Sequence, residues 1–304
     1  MNIVSDTVHE IKYVDQSSLC TFERCPAKYF FSRILGLSPH NDNMLAANYG
    51  TCIHAAMPFC HSADLGGALK AFETDWARFG HGEDNAERNR GRAFDTITTA
   101  IATRSGKTAP YTPVSYDTIP IPEGAERFSK NEIPFAIDIG ASLPALGRID
   151  AIVKWHQDGD RLWPLDYKTS AEISTRWFDS FNFSPQSCLY TLAASHVIGL
   201  DAKGIIIEAI RTSKVTTELC FKPIFVYKSQ ISDFVNWACW KVDEMLAMND
   251  SKTWYKKPTG CSAYPCHYCA SHYCDYKPLC EVPDYHTMLN LYKTSEPFHP
   301  FKVA

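Results

Sequence analysis

The chain has 304 residues, of which 45% are hydrophobic and 13% aromatic, and it carries a formal net charge of −4. That composition supports a sizeable core and excludes a disordered chain or a histone-like bulk electrostatic binder, while leaving room for a local basic groove. The opening MNIVSDTVHEIKYVD has no apolar signal core and no run of 18 apolar residues occurs, so a cytoplasmic protein with no membrane contact is expected, and its twelve cysteines point to metal binding more than to disulfides.

In chain order, DQSSLCTFERCPAKYFFSRILGL (15–37) opens on a capping signal and runs helical, with Pro26 dividing it into two short helices. NYGTCIHAAMPFC (48–60) is a second apolar helical stretch. Residues 64–106 are helical in period and carry Arg88, Arg90 and Arg92, then Arg104 and Lys107; such a face is solvated or tracks phosphates. From 112 the character turns to β, in VSYDTIPI, NEIPFAIDIG, ALGRIDAIVKW and RLWPLDYKT. A helix over 183–198, strands near 203–211 and 217–226, and an amphipathic helix over 229–248 follow. This order predicts an α/β protein with a mixed central sheet flanked by helices.

The chemistry concentrates in LGRIDAIVKWHQDGDRLWPLDYKTS (146–170). On a strand Asp166 and Lys168 share one face, and Leu165 and Tyr167 the other. A two-residue Asp158-Gly159 turn would set Asp150 opposite Tyr167, and the two acids would face apart. An odd-length loop or a bulge sets Asp150 opposite Asp166, and that is the expectation. Two carboxylates one cross-strand spacing apart repel unless a positive charge lies between them, and a hard Mg²⁺ or Mn²⁺ answers that need, with the Tyr167 carbonyl as a further ligand. Lys168 would then stabilise charge building on a phosphate, a combination suited to phosphodiester hydrolysis.

These residues resemble the PD-(D/E)XK nuclease superfamily, and within it the RecB-type branch that includes the AddB nuclease domain, CRISPR-associated adaptation exonucleases and phage-encoded exonucleases. GRIDAIV resembles the family's Gly-x-x-Asp strand, and PLDYKT its (Asp/Glu)-x-Lys-Thr strand, here with Asp. YGTCIH is similar to the upstream Gly-x-x-x-His element, which implies His54 as an added metal ligand. QSCLY is similar to the Gln-x-x-x-Tyr helix, which implies Gln186 and Tyr190 as supports of the lysine or contacts to DNA. The resemblance implies the restriction-endonuclease-like core over residues 1–260, with a helical insertion about 62–110 and a Cys-rich tail over 261–304 packed with the N-terminal helix. Glu132 lies where relatives often carry an acid, and a plain surface role is expected for it.

SSLCTFERCPAKYFF resembles the start of the iron–sulfur subset of that branch, and the tail reads GCSAYPCHYCASHYCDYKPLC. The resemblance implies Cys25, Cys261, Cys274 and Cys280 as ligands, with Cys266 or Cys269 as alternates to Cys261. Residue 271, where a third tail cysteine is expected, is Ser. The spacing suits a [4Fe–4S] cluster or a Zn²⁺ site. Cys20, Cys60, Cys188, Cys220 and Cys239 are expected to fill the core.

The implied function is an Mg²⁺- or Mn²⁺-dependent deoxyribonuclease, an exonuclease acting on single-stranded or free DNA ends in a bacterial or phage-infected cell. The main competitor is a non-catalytic nucleic-acid-binding iron–sulfur or zinc subunit of a recombination, repair, replication or CRISPR-adaptation complex. A zinc-stabilised adaptor between proteins is the third.

Overall fold

The computed structural model describes residues 9–40, 45–79, 88–105, 109–115, 121–125, 132–213, 217–255, 274–294, 296 and 299–301. At the N-terminus Asp15 caps α1 (Gln16–Arg24): its carboxylate accepts the Ser18 N–H at 2.8 Å, and the Ser18 hydroxyl accepts the Asp15 N–H at 2.9 Å. Pro26 lacks the N–H a continuing helix needs, so it opens α2 (Pro26–Tyr29), which widens into a π-helical turn over Phe30–Ile34.

A five-stranded mixed sheet organises the rest, in the spatial order β2 (Tyr111–Val114), β5 (Ala151–Trp155), β6 (Arg161–Ser170), β7 (Gly204–Thr212) and β8 (Thr217–Phe225). Neighbours are antiparallel except β6 and β7, which run parallel and are joined through α6 (Thr175–Asp179) and α7 (Pro185–Ile198). One face is covered by α3 (Leu45–His61), α4 (Leu65–Phe79) and α5 (Arg90–Ser105), whose Tyr49, Ile53, Met57, Phe72 and Trp76 pack with Val153, Trp163 and Leu165. On the other, α1, α7 and α8 (Lys228–Ser251) bury Leu19, Leu189, Phe234 and Val242 with Ile149 and Ile152. The mixed sheet between helices is therefore as the sequence predicts.

ALGRIDAIVKW, however, is not one strand. It forms β4 (Ala145–Ile149), which pairs with β3 (Ile133–Ile137), breaks at Asp150, and resumes as β5 in the main sheet. Gly147 matters to the first ribbon, because a Cβ there would stand 2.5 Å from the Phe135 ring that lies across it. Among the described residues of VSYDTIPI, Val114 is in a strand and Ser115 and Ile121 are not; 116–120 lie outside the described residues.

The far end of the chain returns to the beginning. β9 (Tyr292–Thr294) pairs antiparallel with β1 (Leu37–Pro39), and α9 (Lys277–Glu281) contributes Leu279 to a core shared with Cys25, Phe31 and Leu37. Tyr276 donates to the Leu37 carbonyl at 2.7 Å, and its ring stacks between Phe31 and Tyr292.

Several expectations need correction. Arg104 is not part of a solvated basic face: its side chain is 3% exposed and ion-paired to the fully buried Glu208. Glu132 is mostly buried and pairs with Arg148 at 3.3 Å, so it is no plain surface acid. Cys60 and Cys188 are core residues, but Cys20, Cys220 and Cys239 are only half-buried. Lys107 lies outside the described residues.

Candidate active site

The hairpin between β5 and β6 sets the geometry. Trp155 pairs with Arg161, which leaves a five-residue loop closed by the Asp160 N–H on the Trp155 carbonyl at 3.1 Å. The ladder ends at Ala151 opposite Leu165, and the same register carried one residue on sets Asp150 across from Asp166. An odd loop thus puts both acids on one side, as expected from side-chain alternation. Because the chain leaves the ladder at Asp150, the Tyr167 N–H has no partner strand on that side. The Asp150 carboxylate accepts it instead, at 2.9 Å.

His54 comes from the helix layer across the sheet. A Cβ on Gly50 would lie 2.9 Å from Thr169 Oγ1, so glycine lets α3 approach the end of β6 closely. His54, four residues on and on the same helix face, then reaches the acids, with Nδ1 3.6 Å from Asp150 Oδ2. From α7, Gln186 donates its amide to Asp166 Oδ1 at 2.8 Å; a carboxylate can only accept, which fixes the amide orientation. Tyr190 lies one turn further along α7, close to the Gln186 side chain, and its ring meets Phe135 edge-on at 5.9 Å. Lys168 Nζ forms an ion pair with Asp166 Oδ2 and lies 3.5 Å from the Tyr167 carbonyl oxygen.

Electrostatically this is an unsettled cluster. Desolvation pushes both Asp150 and Asp166 above the usual carboxylate range; Lys168 offsets part of that, and Asp150 adds repulsion to Asp166. Asp166 is 2% exposed, and its Oδ2 takes the Lys168 ammonium as its partner. His54, one-third exposed by side chain, is depressed to about 4 by desolvation and then by Lys168. Its imidazole is therefore neutral near pH 7, with a lone pair to offer.

Against known families, residues 14–281 match the model of the PD-(D/E)XK nuclease superfamily. The chain belongs to the PD-(D/E)XK nuclease superfamily. A solved structure from Eubacterium rectale, described as a "putative exonuclease", shares the fold with a TM-score of 0.50 at 11% identity, over 84% of this chain and 88% of that one. No curated protein matches the sequence.

PD-(D/E)XK nucleases typically use divalent metals, and the donor set here fits such an ion in kind. Two carboxylates set across from each other by the strand register, with a neutral imidazole beside one of them, are donors of the kind such an ion takes. The site is not preassembled: among the described residues no group of three or more His, Cys, Asp or Glu stands at metal-holding spacing. The Lys168 ammonium supplies the positive charge at Asp166.

Of the other sequence candidates, Cys25 and Cys274 share one apolar core with Cys280 packed against it, while Cys261, Cys266 and Cys269 lie outside the described residues. Burial raises the Tyr292 phenol to about 12, with Cys274, Asp275 and Cys280 adding to the shift. Arg90 is ion-paired with Glu73 and Arg92 with Asp95, while Arg92 also donates to the Thr217 hydroxyl; Arg88 lies close enough to act electrostatically on Tyr49.

Sequence reading missed a second buried cluster, behind β6. Glu208 on β7 sits beside Tyr167 in the parallel ladder, accepts from the Tyr111 hydroxyl at 2.5 Å, and pairs with Arg104. Arg104 Nε donates to the Tyr111 oxygen at 2.9 Å. Burial keeps Tyr167 protonated and His61 neutral, and the Tyr167 hydroxyl and His61 Nε2 share a hydrogen bond at 2.5 Å. One signal was available: Glu208 is a lone acid inside the apolar run GIIIEAI.

Proposed function

We propose that this superfamily member is an Mg²⁺- or Mn²⁺-dependent DNA exonuclease of the RecB-type branch, hydrolysing phosphodiester bonds at single-stranded or free ends. The observation that carries the reading is that His54 meets Asp150 and Lys168 meets Asp166, with the strand register setting the two acids across from each other. Asp150, Asp166 and His54, with the Tyr167 carbonyl, would hold the ion. When bound, such an ion supplies Lewis acidity toward a phosphoryl oxygen. Lys168 donates toward charge developing on the phosphate. Gln186 holds the Asp166 carboxylate, and Tyr190 would support the site from the next turn of α7. An iron–sulfur cluster on Cys25, Cys274, Cys280 and one of Cys261, Cys266 or Cys269 would tie the tail to the first helices. The shared core of Cys25 and Cys274 supports it. In this reading residues 1–260 form the nuclease domain and the tail its clasp.

The test is incubation of anaerobically purified protein with end-labelled linear and circular single-stranded DNA, with Mg²⁺ or Mn²⁺, alongside Asp166→Ala. Degradation of the linear substrate alone, lost in the variant and in excess chelator, is the expected result. Binding without degradation in either metal would sink the reading and favour a non-catalytic subunit. A visible absorbance with stoichiometric iron supports the cluster; a colourless protein containing zinc refutes it.

A further inference from the structure

The segment joining α6 to α7 holds an aromatic side chain in an unusual place. Phe183 has a φ of +53°, in the left-handed region that a residue with a Cβ enters at a cost, and the residue is 47% exposed. Its neighbours are firmly tied. The Asn182 N–H donates to the Asp179 carbonyl at 3.1 Å, while the Ser184 N–H and the Ser187 hydroxyl both donate to the Phe181 carbonyl, at 3.2 and 2.8 Å. Phe181 turns inward and meets the Trp177 ring edge-on at 4.9 Å. Phe183 alone of this aromatic group turns out.

Its position gives that exposure a use. Gln186, which holds the Asp166 carboxylate, is three residues further along, so the two Cα atoms lie within about 11 Å of each other. The spacing is of the order of one or two nucleotides. Backbone strain kept beside reacting groups, with a large apolar ring offered to water, is the arrangement expected where the ring is completed by a ligand. Single-stranded nucleic acid supplies the matching chemistry, since every base has a π-face whatever its sequence.

We infer that Phe183 is a stacking platform for a nucleobase next to the scissile phosphate, a positioning residue that holds the strand end in register with Asp166 and Lys168. The inference rests on the nuclease reading above and names its substrate contact. It accounts for a Phe where Gly or Asn would relax the backbone, because only a ring performs the stacking.

The experiment uses an oligonucleotide with 2-aminopurine near its end, whose fluorescence falls on stacking. Binding is followed in the Lys168→Ala background and cleavage in the otherwise native protein, each with Phe183→Leu, Phe183→Tyr and Phe183→Gly. Phe183→Leu and Phe183→Gly should abolish the quenching and raise KM about 10-fold or more with kcat within twofold, and Phe183→Tyr should restore both. A substrate lacking the base at that position should be cut equally by the native protein and Phe183→Leu. If Phe183 served only to close the loop, Phe183→Gly would keep the native KM and quenching, and that result overturns the inference. Cleavage with quenching indifferent to residue 183 overturns it too, leaving the nuclease reading intact. Quenching that depends on residue 183 without any cleavage refutes the nuclease reading and leaves the platform standing. Loss of both rejects both.

Discussion

The two faces of β6 both bury charge, and they differ in how completely that charge is answered. Behind the strand, the Arg104 guanidinium meets Glu208 and Tyr111 in a dry, mutually satisfied set, in which only His61 Nδ1 is left over. In front, two acids share one ammonium, and both are pushed up by burial. A closed network holds structure, whereas an open one keeps interaction capacity for something the chain does not itself contain.

Substitutions on the two faces should therefore fail differently. Lys168→Met is expected to lower cleavage by about 10²–10³-fold or more, with only a small change in melting temperature, because Asp166 can take up a proton in place of the lost ammonium. Arg104→Met should do the reverse. It strands Glu208 in the core, costs about 3–5 kcal/mol and lowers the melting temperature by about 5–10 °C, while protein that stays folded keeps its kcat. Equal losses of activity in the two, measured per folded molecule, would erase the distinction.

Gly50→Ala sits between these cases. Its methyl group would press on Thr169 Oγ1 and move α3, and with it His54, away from Asp150. Activity is expected to fall about 10-fold, with weaker apparent Mn²⁺ affinity in a titration and a modest loss of thermal stability.

The smallest effect sharpens the comparison by pH. In chelator, the folded Asp150 and Asp166 carboxyls hold their protons more tightly than in the unfolded chain, so they favour folding at acid pH. That advantage is lost as the pH rises through their folded pKa values. His54 works in the opposite direction. Between pH 6.5 and about 4 the unfolded chain takes a proton that the folded imidazole refuses, so stability falls as the pH drops across that window. Asp150→Asn keeps an acceptor for the Tyr167 N–H and removes one charge. It should raise the melting temperature in chelator by about 2 °C at pH 8, by less at pH 5, and abolish the stabilisation given by Mn²⁺.

The front of β6 was largely legible in the sequence and the back was not, for a physical reason. Alternation along a strand and loop parity are local rules, so the loop between Trp155 and Arg161 was enough to bring Asp150 to Asp166. The Gly50–His54 spacing on one helix is equally local. The break at Asp150 escaped because Ile149 and Ala151 are both apolar and both extended; only their partners, Ile133 and Leu165, reveal that they belong to different ribbons. Arg104 and Glu208 are about a hundred residues apart, and a lone arginine on a helix reads as solvated until its partner is known. Half-burial of Cys220 and Cys239 depends likewise on which helix covers which edge.

The pairing of Leu37–Pro39 with Tyr292–Thr294 has a consequence for biosynthesis. At about 5–20 residues per second, a ribosome that has made Leu37 needs roughly 10–50 s more to deliver Tyr292. Throughout that interval the apolar side chains of Phe31, Leu35 and Leu37 await their cover, which makes this edge of the nascent chain the natural point of hold for a chaperone and the last part of the molecule to mature.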